Sequence, residues 1–92
     1  MSKQRVTVNV TGTVQGVNFR YVTYRQALAL GVAGWVKNLP DGSVQLCLEG
    51  EERAVKQLLD WLHVGPSSAR VDELTIQPEA YRGEFDCFEI LR

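Results

Sequence analysis

Apolar and polar residues alternate from Arg5 to Thr11, so that Val6, Val8 and Val10 fall on one side of an extended chain. A period of two marks a half-buried strand. Gln15-Gly-Val-Asn18 breaks it, and from Phe19 to about Leu30 the period lengthens. Phe19, Thr23, Ala27 and Leu30 then form an inward helical stripe, imperfect because Gln26 lies on it and Tyr21, Tyr24 and Leu28 lie off it. Gly31 follows in the position where helices commonly end. Val32–Lys37 and Ser43–Leu48 read as two further strands. Between them Pro40-Asp-Gly42 signals a tight turn, since proline presets the turn and glycine accepts a positive φ. Glu51 to about His63 has the clearest helical period, with Val55, Leu58, Leu59 and Leu62 on one face. Its first residues are acidic, as suits the positive end of a helix, and His63 suits the other end. Val64-Gly-Pro66 stops it. Arg70–Gln77 and Phe85–Leu91 are expected as strands, separated by an irregular segment, Pro78–Glu84.

The order β-α-β-β-α-β, plus a short last strand, predicts an α+β fold of the ferredoxin-like, split βαβ kind. Two helices would cover one face of a mostly antiparallel sheet. Residues 1–92 are expected to form a single domain with one modest core. In a right-handed βαβ unit strands one and two run parallel, so the loop after the first and the end of the second share one sheet edge. With the third strand between them, they would lie about 10 Å apart.

Composition narrows the class. The chain is 45% hydrophobic and 23% charged, as in a soluble globular protein. No apolar run approaches the roughly 18 residues of a membrane helix. The first residues pass into a strand pattern without the apolar stretch of a signal peptide, so a cytoplasmic location and no membrane partner are expected. Ten basic residues stand against 11 acidic ones, for a net charge of −1, which argues against a broad nucleic-acid surface. Any anion site must be local. Cys47 and Cys87 have no CxxC spacing and are expected as free thiols in or on strands, without a metal site. Trp35 and Trp61 are expected to pack rather than to stack on a cofactor.

The local anion site has a candidate in Gln15-Gly-Val-Asn-Phe-Arg20. Gly16 removes bulk where an anion must approach the backbone. Successive amides of a turn feeding a helix N-terminus form an anion-binding nest. Arg20 adds a permanently charged planar fork suited to two phosphate oxygens. Asn38, at the end of strand two, would face the same anion from the other side.

These two segments resemble the signature motifs of the acylphosphatase family. Gly12-x-Val-Gln-Gly-Val-x-Phe-Arg20 is similar to the first, and Gly34-Trp-Val-x-Asn38-x-x-Asp41-Gly42-x-Val44, followed by Gly50, to the second. The resemblance covers almost the whole chain. It implies metal-independent hydrolysis of acyl phosphates to carboxylate and inorganic phosphate, with no cofactor. By resemblance Arg20 is the phosphate-binding catalytic residue and Asn38 positions the attacking water. Gln15, Gly16, Val17, Asn18, Phe19 and Arg20 would form the substrate cradle, which phosphate or sulfate would also occupy, in a monomer. Asn18 stands where many members have glycine, and asparagine tolerates the left-handed region better than most residues. The alternative is a non-catalytic binding module of the same fold, for phosphate, acyl phosphate or another small ligand. An RNA-binding version would show aromatics on its open sheet face, where this chain has Thr7, Asn9, Thr11, Gln45 and Cys47.

Overall fold

A computed structural model describes residues 2–91. The alternation that begins at Arg5 belongs to a longer strand, β1 (Lys3–Thr13), whose Val6, Val8 and Val10 are almost wholly buried. It is followed by α1 (Phe19–Leu30), β2 (Ala33–Asn38), β3 (Val44–Glu51), α2 (Glu52–Leu62), β4 (Arg70–Glu79) and β5 (Phe88–Ile90). The strands form one sheet in the order β4-β1-β3-β2-β5. β1 and β2 both run antiparallel to β3 and hence parallel to each other. β4 adds antiparallel to β1, and β5 adds parallel to β2. The expected ferredoxin-like α+β arrangement is the one found.

Both helices pack on one face. α1 lies over β2 and β5, α2 over β3 and β1, and the helices touch each other. Phe19 and Ala27 from α1 and Val55, Leu58 and Leu62 from α2 meet Val8, Val36, Leu46 and Leu48 of the sheet. Gly31 ends α1 at φ 74°, its N–H directed to the carbonyls of Ala27 and Leu28, as its place after the stripe predicts. Trp61 packs near Phe19, with ring centroids 6.2 Å apart. β1 shifts register between Thr11 and Gly12. A Cβ on Gly12 would lie 2.1 Å from the Arg70 carbonyl oxygen, so only glycine allows β4 to approach there.

The last strand is shorter than its apolar residues suggest, Phe88–Ile90 rather than Phe85–Leu91, and β4 runs on to Glu79. The reason is a competing set of partners. The amides of Arg82, Gly83 and Glu84 donate to the Glu49 carboxylate at 3.0, 3.2 and 3.1 Å, and the Phe85 ring lies 5.2 Å from the Arg5 guanidinium. Residues 80–87 therefore cross the sheet face opposite the helices. Cys47, on that same outward face, is buried, and Cys87 is an exposed residue just before β5; both are free thiols. No helix among the described residues is long and apolar enough to cross a membrane.

Candidate active site

The cleft opens at the sheet edge where β1 and β2 end. Val14, buried behind β1, anchors the start of the loop that leaves it. The Gln15 side-chain amide donates to the carbonyls of Leu39 and Ser43, each at 2.8 Å, and so ties that loop to the β2–β3 turn. Gly16 and Asn18 both take positive φ, 74° and 66°. Asn18 is the N-cap of α1 in the left-handed region, and its side chain caps no helical amide. The first helical bond is donated by Val22 N–H to Asn18 O at 3.1 Å. The amides of Phe19, Arg20 and Tyr21 precede it and have no helical carbonyl to meet. Positive-φ turns leading into unbonded helix amides are a general anion-binding arrangement.

Arg20, partly buried in the first turn of α1, donates from Nη1 to the Leu91 carbonyl at 2.9 Å. That bond fixes the guanidinium at the cleft. Asn38 ends β2, paired with Val44 of β3. Its Oδ1 is buried and has no hydrogen-bond partner among the described residues. A buried acceptor without a donor is costly, and in native structures calls for a specific reason. The turn after Asn38 is rigid: Leu39 N–H donates to Ser43 O at 2.9 Å, and Asp41 Oδ1 accepts from the Ser43 hydroxyl at 2.6 Å and its amide at 2.9 Å. Those Ser43 bonds hold the Asp41 carboxyl below its ordinary range.

The cleft encloses about 340 Å³. Gly16, Asn18, Arg20 and Asn38 give it a polar, cationic floor, and Val14, Phe19, Tyr21 and Ile90 complete it. None of these side chains is a carboxylate, imidazole or thiol. Of the residues singled out by sequence, Gly16, Asn18, Phe19, Arg20 and Asn38 thus meet at one place. Gln15 and Val17 do not line it: Gln15 braces the loop from behind, and the Val17 carbonyl accepts from Ser68 Oγ at 2.8 Å. Tyr21, Ile90 and the Leu91 carbonyl were not anticipated. Tyr21 left a trace, as a large aromatic off the apolar stripe of α1. Ile90 and Leu91 left none, because nothing in the sequence places β5 beside β2.

The family model for acylphosphatase matches residues 6–90. The acylphosphatase of Geobacter sulfurreducens is 57% identical over 88 residues, spanning 96% of this chain and 97% of that protein. Among solved structures, an acylphosphatase from Bacillus subtilis superposes with a TM-score of 0.93 at 30% identity, over 97% of this chain and 99% of the other. One from Coxiella burnetii gives a TM-score of 0.91 at 34% identity, over 97% and 93%.

Proposed function

The chain belongs to the acylphosphatase family, enzymes that hydrolyse acyl phosphates, and we propose the part each residue of the cleft takes in that reaction. The amides of the Gln15–Arg20 loop hold the phosphoryl oxygens, and Arg20 spans two of them. Asn38 accepts a hydrogen bond from a water molecule through Oδ1 and aims its oxygen at phosphorus. The water oxygen bonds to phosphorus as the bond from phosphorus to the acyl oxygen breaks. The electron pair of that bond leaves on the carboxylate, and the proton of the water passes to a phosphoryl oxygen.

The last transfer follows from the lining. Among the described residues no carboxylate, imidazole or thiol lines the cleft, and the substrate's own phosphoryl oxygen is the base in this reading. A carboxylate is a good leaving group, so little acid–base work is needed. Positioning and stabilisation of charge on the phosphoryl oxygens carry the rate. The observation that bears most weight is the buried Oδ1 of Asn38, without a partner among the described residues, in the same cleft as the clamped Arg20. We further propose that the chain acts as a single-domain monomer in the cytoplasm, and that inorganic phosphate and sulfate compete with substrate for the cradle.

The test is turnover of benzoyl and acetyl phosphate in EDTA by the parent, Arg20→Gln and Asn38→Ala. Each substitution is expected to lower kcat/KM by about 10²–10³, the usual cost of losing one aimed electrostatic group. Arg20→Gln should also weaken competitive inhibition by phosphate, whereas Asn38→Ala should act mainly on kcat. Undiminished turnover by Asn38→Ala would remove the water-positioning role.

A further inference from the structure

The cleft has an apolar wall that the phosphoryl chemistry does not use. Tyr21 and Ile90 line it, yet they are 47% and 38% exposed. Large apolar side chains left open to water beside a charged cradle offer contact area to something that is not phosphate. Their places in the chain put them on either side of the Arg20 anchor: Tyr21 directly follows Arg20 in α1, and Ile90 directly precedes Leu91, whose carbonyl holds the guanidinium. Both residues therefore line the same cleft as Arg20, within reach of a substituent on a phosphoryl group seated there.

The wall is also held in place. The Tyr21 hydroxyl accepts from Arg25 Nη1 at 3.2 Å, one helical turn away. The Tyr21 ring centroid lies 6.4 Å from that of Tyr24, and Tyr24 lies 6.4 Å from Phe88 of β5. The aromatic row joins α1 to the strand that carries Ile90. A preformed apolar surface loses little freedom when a ligand settles on it.

Resting on the hydrolase reading above, we propose that Tyr21 and Ile90 form the acyl-group subsite and set which acyl phosphates this enzyme prefers. The two side chains that form the wall are uncharged and apolar, so the subsite suits aryl and branched aliphatic acyl groups. Acetyl phosphate is too short to cover the wall. Discrimination through apolar contact of this size is modest, within about 10–200-fold.

The experiment measures kcat/KM for benzoyl, 2-methylpropanoyl, acetyl and succinyl phosphate, each corrected for spontaneous hydrolysis. The proteins are the parent, Tyr21→Ala, Tyr21→Phe and Ile90→Ala. The parent should favour benzoyl over acetyl phosphate, and Tyr21→Ala should reduce that ratio about 10-fold, chiefly through KM. Ile90→Ala should reduce it for 2-methylpropanoyl as well as benzoyl phosphate, and Tyr21→Phe should restore it. Equal losses on all substrates in Tyr21→Ala and Ile90→Ala, or a parent that prefers succinyl phosphate, would overturn the subsite. Failure of the parent on every substrate would instead overturn the hydrolase reading beneath it.

Discussion

At the scale of single residues, the chain places polar atoms in the core in two contrasting ways. Asn38 Oδ1 and Thr23 Oγ1 are both buried without a hydrogen-bond partner among the described residues. The first lines the cleft and the second does not. Thr23 lies on the inward stripe of α1, wholly buried, so its hydroxyl meets the cost of desolvation with nothing in return. Thr23→Val keeps the shape and removes the orphan; it should raise unfolding stability by about 1 kcal/mol in a urea titration while leaving turnover alone. Loss of turnover in that variant would show that the hydroxyl serves the site after all. Arg20 and Asn38 were legible through the resemblance of their segments to two family motifs, and Gly16 because its backbone position, at φ 74°, favours glycine. Asn18 was legible for the same reason, and its φ of 66° places it in the left-handed region expected of it. Tyr21 was not, since an aromatic off a helical stripe carries no address until the neighbouring strand is known.

At the scale of elements, the sheet and helices followed from periodicity, but the crossing of the open face by residues 80–87 did not. Arg5 and Glu49 each look like a solvated outward residue of an alternating strand. In the structure Arg5 is 8% and Glu49 2% exposed. Arg5 Nη1 donates to Glu49 at 3.0 Å and pairs with Glu84 at 2.6 Å, while Nε donates to Glu79 at 3.0 Å. The partners come from a segment with no period of its own, so no sequence pattern marks the cluster. Burial pushes the Glu49 carboxyl up, but the amides of Arg82, Gly83 and Glu84 and the Arg5 guanidinium together outweigh it and hold it below the ordinary range. Its native pKa is thus lower than its unfolded value of about 4.3, and the unfolded chain takes up more protons as the pH falls. The stabilisation it provides is complete above that value and is lost as acid brings the pH down toward the native pKa. Glu49→Gln should cost about 3 kcal/mol near neutrality, because a buried guanidinium loses its best-buried partner. It should also make the acid limb of stability shallower, as read from urea midpoints between pH 3 and 7. An unchanged acid limb would show that the carboxylate is not ionised in the native nest.

At the scale of the whole molecule, the topology explains why so small a protein can build a site. β3 lies between β1 and β2, so the loop after β1 and the end of β2 share one edge, and β5 runs parallel beside β2 to bring Ile90 and Leu91 to it. The Gln15 bonds to Leu39 and Ser43 close the gap between the two motifs. Strand order and the meeting of the motifs could be read from the βαββαβ pattern, since handedness leaves few alternatives. The fifth strand's place could not, because three residues of ladder leave no usable period. What the assembled cleft claims is specific: a water beside Asn38 attacks phosphorus held at Arg20, not the acyl carbon. Hydrolysis of benzoyl phosphate in ¹⁸O-labelled water tests this directly. The account predicts that the label appears in inorganic phosphate and is absent from benzoate, and label in benzoate would contradict it.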